Sequence, residues 1–193
     1  IIVFLVCFFP ILLNGILAMS EIAVVSARQS RLLKLADDGN VGARSALSLH
    51  HEPSIFLSTV QVGITTVGIL SGAIGEATLA IPLAAWLGTW PVLADHASLI
   101  ALTLVVAVLT YFSVVVGELV PKRLGLLAPE RIAALMAPPM NLLSRLARPL
   151  VWLLASSSNL LLRLLGAHQT QEPPVTDDEI KVLMGQGAKA GVF

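Results

Sequence analysis

The sequence predicts an all-α membrane protein, with three transmembrane helices plus cytoplasmic juxtamembrane amphipathic helices. Three observations carry this. Of 193 residues, 56% are hydrophobic and 12% charged, with a formal net charge of zero, too little charge to cover a soluble domain of this length. The apolar residues gather into blocks near the ~20 residues that cross a bilayer. No Lys or Arg occurs between Arg44 and Lys122, so the basic residues fall on one side of the predicted membrane.

The same composition narrows the function classes. Net neutrality, without a basic stripe interleaved with aromatics, argues against nucleic acid as a partner. Cys7 is the only cysteine, which excludes an intramolecular disulfide or a thiolate metal cluster. No phosphate-cradling glycine loop and no Ser/His/Asp or Cys/His motif occurs, so the chain does not read as an enzyme.

Residues 1–25 form the first span, interrupted by Pro10, Asn14, Ser20 and Glu21. They lack a basic leader and a small-residue cleavage site, and read as a retained span rather than a signal peptide. Residues 26–52 bring Arg28, Arg31, Lys34 and Arg44 among leucines. This pattern predicts an amphipathic surface helix ended by the turn residues Asp37, Asp38, Gly39 and Asn40. Pro53 opens a second span over about 54–70, rich in Ser, Thr and Gly, which favours close helix–helix contact. Ser71, Gly72 and Gly75 are expected to break it, leaving 71–97 as a turn-rich outer connection with interfacial Trp86 and Trp90 and solvated acids Glu76 and Asp95. The third span covers about 98–116 and leads into Gly117-Glu118-Leu119-Val120-Pro121-Lys122-Arg123.

The charge distribution places the N-terminus outside, and 26–52 with Lys122 and Arg123 in the cytoplasm. Residues 129–168 are apolar but carry Pro138, Pro139, Pro149 and four arginines. They read as proline-broken interfacial helices, with a fourth span at 149–165 as the alternative. The chain thus divides into a three-span core (1–128), juxtamembrane helices (129–168) and a linker (169–193) whose Thr176 to Glu179 form a capping box.

Glu118 is the sharpest chemical feature. A carboxylate in or near hydrocarbon costs several kcal/mol unless it is paired, protonated or metal-bound. Pro121 has no N–H to donate, which frees the Gly117 carbonyl one turn earlier. A carboxylate beside a free carbonyl suits a hard cation; the alternative is pairing with Lys122 or Arg123. Spans one and three run outward to inward, and span two runs back. Ser20 and Glu21, then Ser58, Thr59 and Gln61, are therefore expected at the level of Glu118, with Thr65 on the face of Ser58. Glu21 reads as a cap or a partner of Arg28.

Together Ser20-Glu21-Ile22-Ala23, the string Phe56 to Thr65 and Gly117-Glu118-Leu119-Val120-Pro121-Lys122 resemble the transmembrane domain of the CorC/CNNM family, the cyclin M-type magnesium transporters. The resemblance covers essentially the whole chain, and 178–193 resembles the family's lead into a cytoplasmic CBS-pair domain. It implies a homodimer in the bacterial inner membrane that binds a dehydrated Mg2+ and exports it, with Na+ as the coupling ion. It implies Glu118 as the acidic ligand, Ser20 and Ser58 as hydroxyl ligands and Gly117 as a carbonyl donor. Where many relatives carry asparagines in the second span, this chain has Ile64, Thr65 and Gly68, so Thr65 stands for an amide oxygen. The competing reading is a membrane anchor or scaffold for a regulatory cytoplasmic domain.

Overall fold

A computed structural model describes residues 2–51 and 53–165; the predicted linker and its capping box lie outside them. The residues divide into two units, 1–152 and 153–193. The described part consists of helices joined by short turns, and three of its helical stretches are long and apolar enough to cross a membrane, Val6–Ser26, Pro53–Leu87 and Ala94–Leu127. The protein is a multi-pass membrane protein with three candidate spans.

The first span lies in α1 (Ile2–Ser26), which carries Pro10 inside it. Two short helices follow, α2 (Gln29–Asp37) and α3 (Val41–His51). The predicted turn separates them. Gly39 sits at φ +90°, which side chains with a Cβ rarely adopt, and Asn40 Oδ1 accepts from the Ala43 N–H at 3.0 Å.

The second span is longer than expected. It begins as α4 (Pro53–Gly75), continues through a π-helical turn over Glu76–Ala80 and ends in α5 (Ile81–Leu87). Ser71 and Gly72 therefore do not break it. The reason is packing: Ser71 and Gly75 are buried, and the Gly75 backbone lies against the Leu109 side chain. Small residues here admit a neighbouring helix rather than a turn. The true turn occupies 88–93. The third span starts from a 3-10 turn at Ala94–His96 and runs through α6 (Ala97–Val114), a second π-helical turn at Val115–Leu119 and α7 (Val120–Leu127).

Close approaches set the helix directions. On one side of α1, Gly117 abuts Ile11 and Asn14, Gly15 abuts Pro121, and Gly125 abuts Met19 and Ile22. Both numbers rise together, so spans one and three are parallel. On its other side, Leu17 meets Gly63, and the Cys7 thiol lies 3.3 Å from the Thr78 hydroxyl. Here one number rises as the other falls, so the second span is antiparallel.

The last helix, α8 (Pro129–Leu164), contains Pro138, Pro139 and Pro149, yet is one helix rather than the broken set expected. All three prolines are exposed, so their rings meet no packed neighbour. Its buried positions Ala133, Ala137, Met140 and Ser144 recur every three or four residues. Ala133, Ala137 and Met140 join Leu32, Ala43, Ala46 and Phe56 in a core that ties α8 to α2, α3 and the start of α4. It is not among the three candidate spans. In the second unit, residues 153–165 are exposed.

Pro138 leaves the Ala134 carbonyl without its helical donor, and the Gly42 backbone approaches that carbonyl directly. A Cβ on residue 42 would overlap the Ala134 carbonyl oxygen, a backbone atom that cannot swing aside. Gly42→Ala is therefore expected to destabilise the protein by about 1–3 kcal/mol. Thermal unfolding in detergent checks this; an unchanged midpoint would show that α8 shifts freely.

Candidate functional site

The site forms where α1 meets the second π-helical turn and α7. That turn holds Gly117 and Glu118. Pro121 has no N–H to offer the Gly117 carbonyl, and Asn14 Nδ2 donates to that carbonyl at 3.0 Å in the buried interior. Asn14 is 7% exposed, and its other amide atom, Oδ1, is buried without a hydrogen-bond partner. A buried, unspent carbonyl-type oxygen inside a membrane bundle is costly in hydrocarbon, and it is the kind of donor a hard cation takes.

Glu118 is half-exposed, and its Oε1 accepts from Lys122 Nζ at 2.9 Å; the same ammonium lies 3.9 Å from Glu21 Oε2. The pairing with Lys122 is the alternative that the spacing left open. Glu21 thus pairs with Lys122 and not with Arg28, whose backbone N–H instead lies 3.5 Å from Glu130 Oε1. The physical cause is the α1–α7 packing at Gly125, which brings Lys122 to the Glu21 level.

Ser20 is fully buried. Its hydroxyl donates to the Ile16 carbonyl at 2.7 Å, so its proton is spent and its lone pairs remain for a cation. Thr59 is also buried and donates likewise to Ile55 at 2.8 Å. Ser58 and Thr65 are exposed on the outer face of α4.

The contacts along α1 place Ser20 level with Ser58 and Thr59. Glu118 lies level with residues 12–14 of α1, roughly 10 Å further along the bundle at 1.5 Å per residue. The single level expected from sequence is thus two levels, bridged by Lys122. The shift arises because the third span runs on to Leu127 and does not end near Val116. Among the described residues, no three His, Cys, Asp or Glu side chains gather into a metal-binding group. A cation held here would rest on Glu118 with hydroxyl, amide and carbonyl oxygens.

The sequence profile of the cyclin M transmembrane N-terminal domain matches residues 4–193. The chain belongs to this family. Cyclin M relatives include the UPF0053 protein sll0260 of Synechocystis sp., 50% identical over 96% of this chain and 42% of its own length. A protein named polyamine export protein from Escherichia coli is 30% identical over 95% of this chain and 41% of its own. The UPF0053 protein YhdP of Bacillus subtilis is 30% identical over 94% and 41%. The chain therefore spans less than half the length of these relatives.

Neither Asn14 nor Glu76 is among the ligands expected from sequence. Asn14 was visible as an amide inside an apolar run; the freed carbonyl one helix away was the signal to join them. Glu76, expected as a solvated acid of the outer connection, instead stands on the first π-helical turn. It lines a cavity of about 360 Å³ with Ser71, Thr110 and Ser113 between α4 and α6. Its relocation follows directly from the unbroken second span.

Proposed function

We propose that this domain carries a cation across the bacterial inner membrane, with Mg2+ as cargo and Na+ as the coupling ion. The observation that carries this reading is the Glu118 π-helical turn, set against a buried Asn14 whose amide oxygen has no partner. Glu118 supplies the charge. Along the proposed path Asn14 Oδ1 and the Gly117 carbonyl are the neutral oxygens at the Glu118 level, and the Ser20 hydroxyl is the one at the second level. Ser58 and Thr65, on the outer face of α4, would line it only from the face where a second protomer packs. One carboxylate among neutral oxygens keeps the ligand charge low, which favours release as well as capture. The orientation that fits the charge distribution has the N-terminus outside and α2, α3 and α8 in the cytoplasm.

A second cargo has its own support. The Lys122 ammonium held by Glu118 and Glu21 shows that these carboxylates accommodate a primary amine, and a relative is named for polyamine export. Calorimetry on the purified protein separates the two. Magnesium as cargo predicts Mg2+ binding that survives excess spermidine; spermidine binding without Mg2+ binding would replace it. Binding of neither would leave the anchor reading.

A homodimer is supported by the outer face of α4. Ser58, Gln61, Thr65, Gly68 and Gly72 are all exposed and recur every three or four residues within an apolar span. Such a stripe gains little from lipid and much from a second helix at close range. A Cβ at Gly68 or Gly72 would meet nothing within the protomer. Gly68→Leu is therefore expected to leave the protomer folded and shift it to monomer, as read by light scattering in detergent. A dimer of unchanged stability would place the contact elsewhere.

A further inference from the structure

A second polar cavity, of about 350 Å³, lies between α3, the first turn of α4 and α8, and Ser48, His51, Ile55, Ser144, Arg145 and Arg148 are among its walls. Its volume falls within the range of small-ligand sites. None of the residues proposed for cation transport lines it. Among the described residues that line it there are two arginines and no carboxylate.

Its donors divide into spent and unspent. The Ser48 hydroxyl donates to the Ser45 carbonyl at 2.7 Å, and Asn141 Nδ2 donates to the same carbonyl at 3.1 Å. The first bond stays within α3, whereas Asn141 Nδ2, which also reaches Ser48 Oγ at 3.1 Å, fastens α8 to α3. Ser144 differs. It is 8% exposed, and its Oγ is buried with no hydrogen-bond partner. Elsewhere in the helices Ser20, Thr59, Thr78 and Ser157 each donate to the carbonyl four residues back. Ser144 does not make that local bond, although a buried hydroxyl without any partner costs free energy. Beside it Arg145 presents a guanidinium, whose planar fork matches tetrahedral oxyanions. The position also matters: Ile55 and Phe56 open the span that begins at Pro53, so the cavity stands at a membrane boundary, the depth of phospholipid phosphates.

We propose that this cavity is a phosphate-binding site, in which Ser144 Oγ–H and the Arg145 guanidinium donate to the phosphate oxygens. A bound phosphate would cross-link α8 to α3 and α4, the joint between the juxtamembrane helices and the second span. The phosphate comes either from an anionic lipid headgroup or from a soluble phosphate compound.

The test uses the purified full-length protein and follows its thermal unfolding midpoint. One arm titrates inorganic phosphate in detergent; the other compares nanodiscs of phosphatidylcholine alone with nanodiscs containing phosphatidylglycerol. Wild-type protein is expected to be stabilised in at least one arm. Phosphate in detergent alone points to a soluble ligand, and phosphatidylglycerol to a lipid. In the responding arm Arg145→Gln should weaken binding about tenfold or more. Arg131→Gln, an equal charge change on α8 outside the cavity, should bind as wild type. Ser144→Ala should keep the unliganded midpoint or raise it while losing much of the ligand-induced shift. That combination separates a binding role from a folding role. No stabilisation in either arm, or equal losses in Arg145→Gln and Arg131→Gln, would overturn the proposal.

Discussion

Glu118→Gln should abolish cation transport while leaving the fold intact. The substitution keeps the side chain's size and removes only its charge. That carboxylate is the only charge in the proposed cation site, and a loss of about 1.5–3 kcal/mol is roughly tenfold and upward in affinity. Stability should change far less. Glu118 is half-exposed and its partner Lys122 retains Glu21 nearby, so this ion pair belongs to the class worth about 0–1 kcal/mol. Uptake into proteoliposomes and the unfolding midpoint read the two effects separately. Transport at the wild-type rate would remove Glu118 from the ion path; a large fall in midpoint would make it a structural residue.

Asn14→Leu should produce the reverse pattern, with stability lost first. Pro121 cannot donate to the Gly117 carbonyl, and Asn14 Nδ2 does. Leucine would leave that buried acceptor unsatisfied, at about 1–3 kcal/mol. The position tolerates little rearrangement, since Gly117 lies against the backbone of Ile11 and Gly15 against the ring of Pro121. Thermal unfolding in detergent measures the cost. A midpoint equal to wild type would mean that the carbonyl finds another donor, and that Asn14 is not the clamp between the first and third spans.

The spans were legible because bilayer thickness sets a length and hydrocarbon forbids charge; both constraints act on composition, which the sequence displays directly. The α2–α3 turn was legible for a local reason, the positive φ of Gly39. The extent of the second span was not. Ser71 and Gly75 look like helix breakers in isolation, and only the arrival of Leu109 turns small size into a packing surface. Likewise the prolines of α8 mark missing donors, but the sequence does not say that Gly42 covers the carbonyl left by Pro138. At the candidate site, Glu118 and the Pro121-freed carbonyl of Gly117 followed from residue chemistry alone. The Asn14 clamp, the bridging Lys122 and the two levels of oxygen donors depend on helix register across more than a hundred residues, and no local pattern encodes that.

Magnesium flux in proteoliposomes tests the central proposal most directly. Purified full-length protein is reconstituted, an imposed sodium gradient drives exchange, and internal Mg2+ is followed with a fluorescent indicator. Sodium-dependent Mg2+ movement is expected for wild-type protein and should be absent for Glu118→Gln. Equal traces from wild type, Glu118→Gln and empty liposomes would contradict it.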